Sequence, residues 1–327
     1  MSHAAAKKTI SNQGGLPGSL STFLERYGIY VALALVVLIS ALISPAFFKF
    51  SNLLNVLRAA AVLGIVSLGQ TMVILGGGID LSVGAVMGTV AIFISEFTGG
   101  ANDNVVWAMA ACLGMGGLVG WLNGLLVTKR NIPPFVCTLG MLIFVEGCRF
   151  AYTAGVISGR PAPFVRQLAA IIGPVPIPVV IFIVLALGAW LLLKKTTFGR
   201  HLYATGGNRE AALYSGVNVV RVLILTYVLC GLFAAVAGLV LSGYIGYGDR
   251  YLGRGFDLDS IAAVVVGGTT FAGGKGGIGG TIVGVLLLTA LFNIVLILNL
   301  EVHYQLILKG LVIIGAVMLY ATQKRFE

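Results

Sequence analysis

Few side chains in this sequence can do chemistry, and most of them stand where an apolar run is interrupted. In Gly76-Gly-Gly-Ile-Asp80-Leu-Ser82-Val-Gly84 three glycines end one run. Asp80 then opens the next, placed to N-cap a helix by accepting from its free N–H groups. A carboxylate between apolar runs is expensive unless it faces water or protein, and broken helices of this kind line solute paths in membranes. The same residues would also make an ordinary capped turn, and the local pattern leaves both readings open. Asn123 and Thr138, in later apolar runs, are further groups suited to hydroxyls. Glu146 and Arg149 stand at i,i+3 on one apolar run and can face each other. That spacing favours a structural pair over solute contact, with Glu146 kept as a possible path residue.

A second polar stretch, Asp249-Arg250-Tyr251-Leu-Gly-Arg254-Gly-Phe-Asp257-Leu-Asp259, sets aromatics beside charges. Rings stack on sugar faces and charged groups bond hydroxyls, yet a docking rim for another protein or a plain wet loop would look the same. Gly274-Lys-Gly276-Gly-Ile-Gly279 fits G-x-G-x-x-G. Its flanks read as membrane helices, so the strand that a dinucleotide site requires is missing. Small residues that let helices approach explain it better. His3, His201 and His303 are scattered, and no catalytic constellation or metal set emerges.

The elements that must hold these residues follow from composition. Of 327 residues 58% are hydrophobic and 10% charged, far below the quarter that a soluble domain carries. The expected fold is an all-α integral membrane protein. Runs at about 27–44, 53–75, 105–127, 135–154, 177–193, 221–243, 281–298 and 305–321 are long enough to span. Weaker, Gly-rich ones at 80–98 and 258–272 bring the total to about ten, with broken or re-entrant segments. The net charge of +10 is no nucleic-acid signature, because the basic residues cluster at span ends. Threading with both termini inside puts thirteen Lys/Arg inside and five outside, as the positive-inside rule requires. The organisation is then a cytoplasmic tail 1–26, one transmembrane domain 27–322 and a tail 323–327. Segment 155–176 lies outside, with room for a short helix around Val165–Ile172. Cys112, Cys137, Cys148 and Cys230 read as small buried hydrophobes.

On the inside, Ala204-Thr-Gly-Gly207-Asn208-Arg209-Glu210-Ala211-Ala212-Leu213-Tyr-Ser-Gly216 carries helix signals. Asn208 is an N-cap, Glu210 suits the first turn, and Gly216 stops the helix after about two turns. Such a helix is unstable alone, so it docks on a cytoplasmic partner or lies at the headgroups.

Glu210-Ala211-Ala212-x-x-x-Gly216 resembles the core of the coupling loop of bacterial ABC importer permeases. Gly77-Gly-Ile-Asp-Leu-Ser-Val-Gly84, Asn123-Gly-Leu-Leu-Val127, Ile132-Pro-Pro-Phe135, Thr138-Leu-Gly140, Lys195-Thr-Thr-Phe-Gly-Arg200, Val266-Gly-Gly-Thr269 and Gly273-Gly-Lys-Gly-Gly277 resemble ribose-type sugar permeases of that superfamily, in order, from about residue 25 to 322. The resemblance implies a fold similar to the vitamin B12-type importer permeases and a place in the bacterial inner membrane. It implies a second permease copy or paralogue, a cytoplasmic ATPase that uses ATP and Mg, and a periplasmic sugar-binding protein. This chain itself would be no enzyme and hold no cofactor. Under it Asp80, Ser82, Asn123, Thr138 and Glu146 would line the substrate path. Residues 205–216 would couple to the ATPase through Gly207, Asn208, Arg209, Glu210, Ala211, Ala212, Leu213 and Gly216, and Asp249, Arg250, Tyr251 and Arg254 would dock the binding protein. The rivals are a permease for branched-chain amino acids or nucleosides, and an ion-coupled transporter using Glu146, Asp80 or Glu96.

Overall fold

The computed structural model describes residues 18–153, 159–301, 303–307, 310–311 and 314–315. The expected tail 323–327 and part of the expected span 305–321 lie outside the described residues; those described between 303 and 315 are helical. Among the described residues twelve α-helices have defined limits: α1 (Gly18–Ile43), α2 (Phe50–Leu75), α3 (Val83–Thr98), α4 (Val105–Lys129), α5 (Pro134–Thr153), α6 (Pro163–Gln167), α7 (Ile177–Lys195), α8 (Thr197–Gly207), α9 (Arg209–Tyr214), α10 (Val219–Ile245), α11 (Phe256–Val266) and α12 (Ile278–Ile297). Six of them, α2, α4, α5, α7, α10 and α12, are long and apolar enough to cross a membrane.

The other apolar helices depart from simple spans. Helix α1 begins at Gly18, inside the segment read as a tail. Helix α3 has 16 residues and α11 only 11, about 24 and 16 Å, so α11 cannot cross a core of about 30 Å alone. The weak span at 258–272 is therefore half a helix, cut short where Gly267 and Gly268 end it. In the loop after α5, the expected helix around Val165–Ile172 is a five-residue helix, α6, followed by a two-residue antiparallel pair, β1 (Ile171–Ile172) and β2 (Val175–Pro176). Gly173, at φ 60°, makes the turn that joins the two strands.

Helix α10 packs on α2, α3 and α4, while α11 and α12 pack on each other and on α2. The α4–α10 contact is made by glycines. A Cβ at Gly120 would strike the Tyr227 carbonyl, and one at Gly116 the Gly231 carbonyl, so the backbones approach as small-residue membrane interfaces allow.

Contacts assign the two ends of the bundle. At one end the Gly274 N–H donates to the Leu75 carbonyl at 2.9 Å, and Gly206 packs on both. The end of α2, helix α8 and the α11–α12 loop therefore meet there. At the other end Arg58 donates to the Ala169 carbonyl at 2.6 Å and lies over the Tyr244 ring, while Ser95 meets Ser242 at 3.1 Å. The first end carries Lys129, Lys194, Lys195 and Arg200, the inside of the threading.

Candidate functional site

The segment between α2 and α3 turns back into the bundle. The Tyr227 hydroxyl, about two turns into α10, donates to the Ile79 carbonyl at 3.5 Å, and Thr138 of α5 donates to the same carbonyl at 3.3 Å. Asp80 Oδ1 accepts from the Ser82 N–H at 2.9 Å and from Ser82 Oγ at 2.6 Å. Asn123 Nδ2 donates to Ser82 Oγ at 2.9 Å and reaches Asp80 Oδ1 at 3.4 Å. With its amide oriented to satisfy both groups, Gln70 donates to the Asp80 carbonyl at 3.1 Å and accepts from its N–H at 3.2 Å.

Four of the expected path residues, Asp80, Ser82, Asn123 and Thr138, thus come together, with Gln70 and Tyr227 that the sequence reading missed. All are buried. What they can do is satisfy an unwound backbone inside a bundle, which a re-entrant segment needs. Asp80 does not cap α3 directly: Ser82 holds the N-cap position with no side-chain bond into the helix, and Asp80 accepts one step earlier, from the N–H and hydroxyl of Ser82.

Glu146 stands apart from this hub. It pairs with Arg149 at 3.3 Å, as the i,i+3 spacing suggested. Arg149 is 3% exposed and also donates to the Arg250 carbonyl at 3.1 Å and the Leu252 carbonyl at 3.4 Å. These bonds hold the α10–α11 loop against the start of α3. Gly253 sits on Gly84 and Leu252 on Gly88, where a Cβ would strike the Arg149 guanidinium. The loop therefore dips into the bundle, because an 11-residue helix must start at depth to reach the other end. Gly84-x-x-x-Gly88 was the sequence signal for this close approach. Within the loop, Asp249 Oδ1 accepts from the Tyr251 N–H at 2.7 Å, and Arg254 lies over the Tyr251 ring at 5.6 Å. Asp249, Arg250, Tyr251 and Arg254 share one turn, but the Arg250 carbonyl faces inward.

The inside segment matches its helix signals and adds a break. Residues 205–207 end α8, and α9 starts after Asn208, whose Oδ1 accepts from the Ala211 N–H at 2.9 Å. Gly216, at φ 80°, donates to the Leu213 carbonyl, and Val217 to the Ala212 carbonyl, both at 3.0 Å. This is the paired closure that a left-handed glycine gives a helix end. Arg209, Glu210, Ala211 and Gly207 are exposed, Ala212 packs inward, and Leu213 and Tyr214 are 61% and 89% exposed. The α8 face is fixed by Tyr203, which donates to the Gly276 carbonyl at 2.9 Å; burial pushes its hydroxyl pKa up and keeps it a donor. Trp190, Lys194, Tyr203 and Gly276–Gly280 line a cavity of about 370 Å³. Of the cysteines, Cys112, Cys137 and Cys230 are buried, but Cys148 is exposed, since α5 turns a bare apolar face outward.

The sequence comparisons agree on one kind of protein. The model of the family described as branched-chain amino acid transport system / permease component matches residues 52–321. The ribose import permease protein of Bacillus subtilis (strain 168) is 38% identical over 302 residues, covering 90% of this chain and 92% of its own. The galactose/methyl galactoside import permease protein of Escherichia coli (strain K12) is 35% identical, with 94% and 98% covered, and its D-allose transport system permease protein is 32% identical, with 93% and 94% covered. No solved structure matches the chain. The chain belongs to this permease family.

Proposed function

We propose that this family member is the membrane-spanning permease subunit of an ATP-binding-cassette importer for a monosaccharide. The observation that carries the reading is likeness along nine tenths of the chain to permeases named for ribose, allose and galactose. The exposed, doubly capped helix α9 supports the energy source. It is too short to stand without a partner, and it offers Glu210, Leu213 and Tyr214 outward. In this reading α9 seats in a cytoplasmic ATPase, which uses ATP and Mg. The chain assembles with a second copy or a paralogue in the bacterial inner membrane, with both termini cytoplasmic and a fold of the vitamin B12-type importer class. A periplasmic sugar-binding protein docks at the turn Asp249, Arg250, Tyr251 and Arg254. The buried Asp80, Ser82, Asn123 and Thr138 act on the path by fixing the re-entrant segment, and Glu146 borders it.

The test is a C-terminal affinity tag and purification in mild detergent from the native host. An ATPase subunit in equal amount is the expected result. A chain that emerges alone, with uptake following a proton or sodium gradient, would overturn the proposal. The family's description favours a second substrate class, branched-chain amino acids. Competition of uptake by ribose, allose and galactose against leucine separates the two.

A further inference from the structure

Glu146 lies deep within α5, past the midpoint of that 20-residue span, and its side chain is 26% exposed. Asp257, in the first turn of α11, is also half-buried, and both carboxylates lie along α3: Arg149, the partner of Glu146, meets Gly88, and Asp257 meets Gly84 one turn earlier. Arg254, next to the Gly253 that packs on Gly84 and Gly88, is exposed and lies over the ring of Tyr251, itself 58% exposed. The N-terminal ends of two half-helices meet here: Gly84, at the start of α3, would bring a Cβ to 3.4 Å from the Asp257 carboxylate.

A lipid-facing surface does not tolerate this set. A charged group within a span is costly against hydrocarbon, and three partly open charges on one patch multiply that cost. A dry protein interface fares no better, since it would strip water from two carboxylates and two guanidinium groups at once, a cost that their mutual attraction repays only when every group is fully bonded. A water-filled passage satisfies both conditions. Its chemistry is also specific: carboxylates accept from hydroxyls, the guanidinium donates to them, and the ring offers a flat apolar face.

We infer that Glu146, Asp257, Arg254 and Tyr251 form a hydroxyl-binding station for the sugar at the foot of the docking turn, where it meets the half of α5 nearer Thr153, and that the solute passes over this face of α5 and not through the buried Asp80 hub. The inference rests on the sugar-importer reading and adds the place and the residues. Arg149 is a positioning residue: its bonds to the Arg250 and Leu252 carbonyls hold the loop that carries Tyr251 and Arg254 in register with Glu146.

The experiment uses the whole transporter in membrane vesicles, starting from a Cys148→Ser background. Glu146→Cys, Asp257→Cys and, as a control on the outer apolar face of α7, Val184→Cys are probed with a charged methanethiosulfonate reagent. The thiolate that the reagent requires survives in water and not in lipid, so cysteines at 146 and 257 should react about a hundred-fold faster than at 184. Ribose, allose or galactose, supplied with the binding protein, should slow the two and leave the control unchanged. Should E146C not assemble for want of the Arg149 pair, D257C carries the test, because Asp257 lies in the first turn of α11, outside that pair. No reaction at either site in a transporter that still imports sugar overturns the station and leaves the importer reading standing. Fast reaction that no sugar slows, but leucine does, overturns the sugar assignment at both levels.

Discussion

Asp80 bonds almost entirely to its own surroundings, and that decides what its mutants do. Its Oδ1 serves the Ser82 N–H, the Ser82 hydroxyl and Asn123. Asp80→Asn keeps an acceptor there and should assemble, with a modest loss of thermal stability. Asp80→Ala strands buried donors, at about 1–3 kcal/mol each, and should lower the melting temperature in detergent far more; equal melting points for the two would refute the hub. Asn123→Leu should resemble Asp80→Ala, because Ser82 loses its donor. Glu210→Lys is the opposite case: exposed and outside the core, it should leave melting unchanged while abolishing transport-coupled ATP hydrolysis. The sequence marks Asp80, Ser82, Asn123 and Thr138 as polar groups in apolar runs, and that much was legible. Whether such groups line a passage or satisfy a buried backbone depends on partners 41 to 59 positions away, which no local pattern encodes. Gln70 and Tyr227 escaped notice for the same reason, each being unremarkable within its own helix.

Elements were most legible where their ends are chemically marked. Asn208 and Gly216 delimit α9 by side-chain cap and left-handed backbone, so its limits could be read without tertiary knowledge. The length of α11 could not, because a run of small and apolar residues continues past Val266 and only the cap at Gly267 with the left-handed Gly268, at φ 87°, shows where winding ceases. The structure then links α9 to the broken segment through one close contact. Gly206 rests on the Leu75 carbonyl, the last of α2 before the turn to Asp80, and Gly274 bonds that same carbonyl. A Cβ at Gly206 would strike backbone that cannot yield, whereas one at Gly207 meets nothing within 4 Å. Gly206→Ala should therefore push α8 off the end of α2 and sever ATP hydrolysis from uptake in reconstituted vesicles. Gly207→Ala should transport normally, with a stability gain of up to about 1 kcal/mol from helix propensity. Equal transport by the two variants would exclude this contact as the link.

At the scale of the molecule, two incomplete helices replace two spans, and they enter from opposite sides. The Gly76–Ser82 turn re-enters from the end that holds α8 and α9, and the 246–255 loop from the end that holds α6 and the β1–β2 pair. Each leaves unwound backbone inside the bundle, tolerated only because protein groups satisfy it. Together they bring the starts of α3 and α11 face to face. An arrangement of this kind can open toward either side by small rotations about the meeting point, which is what alternating access demands of a transporter. It also fixes which loops must share a compartment. Asn102 bonds the Phe164 N–H across two loops of one end, and Gly206 with Gly274 joins loops of the other. In the proposed orientation the second end, with its excess of Lys and Arg, faces the cytoplasm. In a Cys148→Ser background, a cysteine in place of Asp103 should then react with an impermeant maleimide in cells whose inner membrane is intact. One in place of Ser215, exposed on the far end, should react only after that membrane is permeabilised. The reverse order would turn the whole bundle over, place α9 beyond the reach of any cytoplasmic ATPase and remove the basis for coupling through it. Reaction of both in intact cells would mean instead that the two loops share a side, and the pairing of the broken helices as inward and outward halves would fail.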